Sequence, residues 1–405
     1  MTSLTLYEDH GFVNLLPLVY WRTVFELRLG RRILLDRIAQ HLGMPVSGVW
    51  SRDWIADVAA KRCGAPANQP VRADTLLVNG RWVCPRPVDV APAPCVGMSD
   101  DAIAYIHCDD ALAARLTPQS LLDAPASREL LQDVPRVEAP GWHVRYPWDL
   151  VLRVGEALKD DFQPKDAGVD VELDSRVILE SPDAIHIGQK AFVHPTCVID
   201  AREGPIFIGE NVYIGPYCVI EGPAYIGPGT RINPHTHLYG ANSIGPACKI
   251  GGEVNGCAIQ GYTNKQHSGF LGHSYVGSWV NIGAGTSNSN LKNTYGHVRV
   301  PINNYEVDTG ARFFGAVIGD HVKTAIHTTI PTGAVIGTAS VIATGSTMPK
   351  FVPPFAWLTD EGASRGDPAR LLDIADTVTS RRGVTMTEAE RRLFLDIPER
   401  AATFE

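Results

Sequence analysis

The chain has 405 residues, 44% of them apolar, with a formal net charge of -8 and a pI near 5.9. That length supports more than one core, and the acidic balance argues against a nucleic-acid surface as the main partner. No apolar run reaches the about eighteen residues of a membrane span, and Met1 to His10 has no basic stretch leading into an apolar one, so a soluble, cytoplasmic protein without a membrane partner is expected.

From the start, Leu4 to Tyr7 predicts a strand, and Asn14 to Leu18 is an apolar segment. Arg31 to Leu42 predicts a helix with Ile33, Leu34, Ile38 and Leu42 on one face and Gly43 as its stop. Val46 to Val49 reads as a strand and Asp53 to Cys63 as a helix closed by Gly64. Leu76 to Val83 is strand-like around Asn79-Gly80, with a plain hairpin turn as the alternative. Pro85 to Pro94 holds four prolines in ten residues and reads as a loop. Ala102 to Ile106 predicts a strand, and Asp109 to Leu116 a helix. Strands alternating with helices point to a small α/β domain over 1–165. Trp148 to Leu158 has helical spacing and leads into the next region. The eight cysteines form no C-x-x-C pair, which gives neither a zinc nor a disulfide framework.

A different rhythm then takes over. Ile208, Ile214, Ile220, Ile226, Ile232, Leu238, Ile244 and Ile250 recur every sixth residue, most of them followed by Gly. A period of six fits neither a helix nor a half-buried strand, so the unit is a short strand plus a corner, and stacked units form a solenoid with one continuous core. Cys218 and Cys248 fall in the small-residue slot of their hexads and read as core residues. The period reaches back to about Val177, with an insertion at Ala201 to Pro205, so the solenoid spans 170–350. Asn288 to Arg312 lacks the aliphatic marks and reads as a long excursion of functional interest. Ile318, Thr324, Ile330, Ile336 and Ile342 resume the period, which Pro353-Pro354 ends. Over 351–405, Asp367-Pro368 and Thr387-x-x-Glu390 mark the starts of two helices that cover the last coil.

These hexads resemble the left-handed parallel β-helix acyltransferases. Lys265 to Thr286 (K-Q-H-S-G-F-L-G-H-S-Y-V-G-S-W-V-N-I-G-A-G-T) resembles the acetyltransferase half of the bifunctional enzymes that make UDP-N-acetylglucosamine. Through Ser289 to Asn293, Asp308-Thr-Gly310 and Ile318 to Thr324, the likeness is closer to a GlmU-like group of sugar nucleotidyltransferases. The resemblance is weak over 1–165 and strong over 177–348. It implies an α/β domain of degenerate nucleotidyltransferase type, a left-handed parallel β-helix and C-terminal helices. It also implies a homotrimer that transfers an acyl group, acetyl from acetyl-CoA in the first instance, to an amino sugar, sugar phosphate or nucleotide sugar. His267 matches the family's general base, a task suited to a group titrating near neutrality; the alternative is a structural histidine. Glu253, Asn281 and Asn290 match acceptor-binding positions, although Asn281 also suits a corner. Ala284 and Ala343 match the thioester and pantetheine positions, although small residues suit any tight coil. No metal is assigned: His235 and His237 share one hexad and His273 lies near His267, but a zinc site needs three converging imidazoles and no further His pairs fit.

The departures are specific. Where the family uses basic residues and a tyrosine, this chain has His237, Asn255, Phe270 and Gly296, so the phosphate grip is weakened or moved to Lys265, Lys292 or Arg299. The N-terminal region lacks the Gly-rich phosphate loop, and Arg28 to Leu35 resembles only a later part of that pattern. Arg81 stands where a metal-binding Asp belongs; Asp109-Asp110 is an alternative Mg²⁺ holder or a helix-starting pair. Mg²⁺ is therefore implied only if this domain transfers nucleotides. The remaining readings are nucleotidyl transfer to a sugar 1-phosphate and a non-catalytic trimer that binds a nucleotide sugar.

Overall fold

The computed structural model describes residues 2–404. It contains two compact units, one formed by the chain up to 27 with 32–146 and 387–393, the other by 28–31, 147–386 and the chain from 394 onward.

The first unit is a six-stranded sheet ordered Val46–Trp50, Ser3–Tyr7, Thr75–Asn79, Ala102–His107, Cys95–Ser99, Arg136–Glu138. Ser3–Tyr7 lies parallel to both of its neighbours, and Ala102–His107 runs antiparallel to the two strands beside it. Leu4, Leu6, Leu76, Leu77 and Val78 are buried, the near-continuous apolar run of a strand covered on both faces. The expected helices are present but shorter. Leu34–Leu42 and Ala56–Cys63 end at Gly43 and Gly64, which take φ of 67° and 63°, whereas only Asp110–Ala113 of the Asp109 to Leu116 segment is helical. The Leu76 to Val83 expectation needs correction in both forms. Thr75–Asn79 belongs to the main sheet, and Trp82–Val83 pairs instead with Trp142–His143.

The second unit is a parallel β-helix with three walls. One wall stacks ten strands from Gly168–Val169 to Phe351–Val352, including Ile206–Ile208, Ala224–Ile226 and Asn242–Ile244. A second stacks six, from Ile178–Glu180 to Phe270–Gly272, and a third begins with five, from Phe192–Val193 to Asn264–Lys265. The eight sixth-position residues from Ile208 to Ile250 all point inward and are fully buried. Cys218 and Cys248 join them as expected. Each buried Ile contributes about 1.5–3 kcal/mol relative to exposure.

Two different physical needs fix the residues between the aliphatic marks. Gly209, Gly227 and Gly245, each following a buried Ile of the first wall, sit so close to the next coil that a Cβ would lie 2.9, 2.6 and 2.0 Å from its backbone. They are required for space rather than for a special φ. The left-handed conformation occurs elsewhere, at corners: Asn211, Tyr217, His235 and Ala247 have φ of 55–60°. A non-Gly residue gives up about 1–2 kcal/mol there; the ladder compensates, as in His235 N–H to Pro216 O at 3.1 Å and Ala247 N–H to Pro228 O at 2.9 Å.

Helices Pro147–Leu152 and Val154–Asp161, separated at Arg153, lie against this unit, with Val154 and Leu158 packed on Tyr225. The excursion predicted between Asn288 and Arg312 contains an antiparallel hairpin, Arg299–Ile302 with Tyr305–Asp308, and the coil resumes at Ala316–Ile318. Pro353-Pro354 does not end the walls. Ala356–Thr359 pairs with Val341–Ala343, and Gly362–Arg365 folds back on it. Helices Pro368–Ser380 and Glu388–Phe404 follow. Asp367 caps the first, and Thr387 with Glu390 forms the reciprocal box at the second.

Candidate functional site

His267 lies on the corner between Asn264–Lys265 of the third wall and Phe270–Gly272 of the second, and it is exposed. The same corner one coil on is formed by Ala284 and Gly285, tied to it by Gly285 N–H to Ser268 O at 3.0 Å; the next is tied by His327 N–H to Ala284 O at 2.7 Å. Asn281 sits on the third wall, bridging Asn264 and Lys323, with its amide oxygen 3.4 Å from Asn264 Nδ2. Ala343 ends strand Val341–Ala343 of the same wall and is exposed.

Glu253 and Asn290 belong to the second-wall side of that corner. Glu253 lies in register between His237 and Phe270 and accepts a 2.5 Å hydrogen bond from Tyr239 Oη, which raises the Tyr239 hydroxyl above its usual range. Next to Glu253 in the coil below, His237 Nε2 is 2.8 Å from Glu221 Oε1 and its ring stacks on Tyr239 at 4.6 Å. Asn290 Nδ2 is 2.9 Å from His273 Nδ1, and that imidazole, lowered in pKa by burial, stacks on Phe313 at 5.5 Å. The second wall and its corners thus carry carboxylate, amide, phenol and imidazole groups of the kind that hold sugar hydroxyls. Tyr239 was not singled out in the sequence and His273 only for the zinc alternative, because neither breaks the repeat. Lys292, in the excursion, donates to His297 O at 3.0 Å, apart from the wall strands that carry the others.

Lys265 is not a phosphate grip. It occupies the inward slot that Ile250 fills one coil earlier, is 2% exposed, and its Nζ donates to the carbonyls of Gly251, His267 and Gly269, each at 2.8 Å. Burial pushes the ammonium down to about 8, against the weaker opposing influence of Cys257 and Glu253. Three charge-assisted bonds from one buried cation pin both sides of the turn that carries His267. The signal in the sequence was a lysine at a position where the period demands an aliphatic residue.

In the first unit a cleft of about 340 Å³ opens beyond the carboxyl end of Ser3–Tyr7, lined by Tyr7, Asp9, His10, Ile103, Arg128 and Arg136 among others, the usual ligand position in such sheets. Arg81 grips Asp9 with both arms, Nε to Oδ1 at 2.7 Å and Nη2 to Oδ2 at 2.5 Å. Burial works to raise the Asp9 carboxyl, but Arg81 and Asn79 outweigh it and hold it below the usual range. A Cβ on Gly11 would meet this guanidinium at 2.3 Å, so the pair and the glycine require each other. A carboxylate engaged by a guanidinium on both oxygens does not fit a divalent cation. Asp109 accepts from Leu112 N–H at 2.8 Å, the helix-starting role. Arg28 is also committed elsewhere, its backbone N–H donating to Tyr275 Oη at 2.8 Å within the second unit.

Residues 4–168 match the family described as sugar nucleotidyl transferase, and 205–240 match the bacterial transferase hexapeptide of six repeats. A bifunctional sugar-1-phosphate nucleotidylyltransferase/acetyltransferase of Sulfurisphaera tokodaii is 35% identical over 26% of this chain and 26% of its own length. The bifunctional protein GlmU of Methanococcus vannielii is 33% identical over 27% of each. The chain therefore spans about a quarter of the length of these relatives. A solved Arabidopsis UDP-N-acetylglucosamine acyltransferase aligns at a TM-score of 0.23 and 14% identity, over 57% of this chain and 92% of that one, too loosely to carry weight. A region that matches the sugar nucleotidyl transferase model followed by hexapeptide repeats coiled as a parallel β-helix is a layout that fits a GlmU-like family.

Proposed function

We propose that the protein transfers an acyl group, acetyl in the first instance, from acyl-CoA to an amino sugar, sugar phosphate or nucleotide sugar, with His267 as general base. The observation that carries this reading is the exposed His267 on a rigid corner, its turn pinned by Lys265 and flanked by Glu253 and Asn290 on one wall and Asn281 on the other. The acceptor's amine or hydroxyl loses its proton to the imidazole as its lone pair attacks the thioester carbonyl. The tetrahedral intermediate then collapses with cleavage of the carbon–sulfur bond, and the imidazolium returns the proton to the departing CoA thiolate. Ala284 on the corner and Ala343 on the third wall, with nothing beyond Cβ, leave room for the pantetheine arm. Ile178, Tyr217 and Ile326, 50–66% exposed on the second wall and at its corner with the third, supply apolar area for a homotrimer in which a neighbouring copy closes the site. His267→Ala should lower CoA release by about 10²–10⁴-fold with the fold intact; full turnover in this variant would remove the mechanism.

A second reading concerns the first unit. The match over 4–168 and the cleft beside Tyr7 favour binding of a nucleotide sugar there, while the Arg81–Asp9 pair argues against metal-dependent transfer. Nucleotide sugars should then shift the unit's melting, and incubation of sugar phosphates with nucleoside triphosphates and Mg²⁺ should release no pyrophosphate. Its release would restore nucleotidyl transfer as the activity.

A further inference from the structure

The third wall carries Phe192, Tyr213, Arg231, Lys249 and Asn264 at matched positions on five successive coils. Neighbouring coils are about 4.8 Å apart, so the two cations and the amide form a continuous strip. Arg382, just past helix Pro368–Ser380, reaches into it. Its guanidinium donates to Asn264 Oδ1 at 2.6 Å and to Ala247 O at 3.1 Å, with Arg381 beside it. The Arg231 guanidinium lies 3.9 Å over the Tyr213 ring, and Phe192 stacks on Tyr213 at 5.6 Å while remaining half exposed.

Among the described residues no carboxylate forms an ion pair with Arg231, Lys249, Arg381 or Arg382. Arg382, then partial burial, then Arg381 and Arg231 hold the Lys249 ammonium below the usual lysine range. Four like charges converge without a counter-charge on a chain whose net charge is -8. Such a cluster opposes folding by self-repulsion, and two of its members are held in place by an aromatic face and by backbone and amide acceptors. A fixed, uncompensated set of guanidinium and ammonium donors is complementary to a phosphate.

We propose that this strip binds a phosphate-bearing small molecule, with its anionic oxygens on Arg231, Lys249 and Arg382 and a base, where present, against the Phe192 ring. The site lies on the outer face of the wall, one and two coils before the His267 corner. It does not depend on acyl transfer.

The test is calorimetric titration of the full chain with inorganic pyrophosphate, UDP and coenzyme A, repeated on Arg231→Gln and Lys249→Gln. Wild type should bind pyrophosphate, and each variant should bind at least about tenfold more weakly, the loss of one charge-assisted contact, with melting unchanged or raised by the relieved repulsion. Tighter binding of UDP or coenzyme A than of pyrophosphate, lost in Phe192→Ala, would support the base contact and identify the nucleotide source. No wild-type binding at millimolar pyrophosphate, or equal binding by both variants, would overturn the proposal. So would a change of oligomer mass in the variants, which would assign the cations to an acidic surface of a second copy. Because binding is read directly, failure of the acyl-transfer reading leaves this result standing.

Discussion

Lys265 shows how much one side chain can decide. Its acceptors are the carbonyls of Gly251 one coil earlier, of His267 itself and of Gly269, and although Gly269 O also accepts from Glu253 N–H at 3.3 Å, Lys265→Met removes this donor from all three inside the coil. We expect a loss of about 2–4 kcal/mol of stability at neutral pH, measured by denaturant unfolding, because buried acceptors without donors are expensive. The pH dependence has a definite sign. The folded pKa of about 8 lies below the ordinary 10.5, so between these values the unfolded chain binds more protons and wild-type stability rises with pH through this group. The stability gap between wild type and Lys265→Met should therefore widen from pH 8 to pH 10.5; a gap that narrows would contradict the burial assignment. Asp9→Ala tests the other buried pair. It strands the Arg81 guanidinium, 8% exposed, and should destabilise the first unit by about 3–5 kcal/mol. A shift below 1 kcal/mol in thermal unfolding would show the pair to be solvated.

Elements were legible in the sequence where one short-range rule governed them. The hexads could be read because every inward residue is separated from the next by six positions, and the glycine after each Ile follows from coil-to-coil distance. Helix stops at Gly43 and Gly64 and starts at Asp367 and Thr387 are likewise local. Cys95–Ser99 was not foreseen as a strand, since it follows a proline-rich loop and contains Gly97 at an irregularity in its pairing; its partners Ala102–His107 and the distant Arg136–Glu138 make it one. The Asn79-Gly80 turn misled for the same reason, because long-range partners took the two halves to different sheets. Of the candidate site, residue identities along the His267 corner could be proposed from resemblance, whereas the Tyr239–Glu253 and His273–Asn290 pairings depend on stacking of coils that a linear chain does not display. The final element tests the cap. Phe394 is fully buried, 4.9 Å from Phe355 and 5.5 Å from His321, so Phe394→Ala should lower stability by about 3–5 kcal/mol, seen as a lower denaturant midpoint. An unchanged midpoint would mean that the last coil needs no cover.

At the scale of the whole molecule, a rigid β-helix offers three long walls and little internal freedom, so function depends on what meets those walls. The exposed apolar residues on the second wall and at its corner with the third lead us to expect a species of three times 43.9 kDa in sedimentation equilibrium, and Ile326→Glu should shift it toward monomer. A wild-type monomer at micromolar concentration would leave the His267 corner open to solvent and remove the closure that the mechanism invokes.

The most direct measurement is thiol release from acetyl-CoA, followed colorimetrically across a panel of amino sugars, sugar phosphates and nucleotide sugars, for wild type and His267→Ala side by side. The account predicts that at least one acceptor supports release by wild type and that the variant, folded and of unchanged oligomeric mass, is slower by two orders of magnitude or more. Equal rates for the two proteins would contradict it.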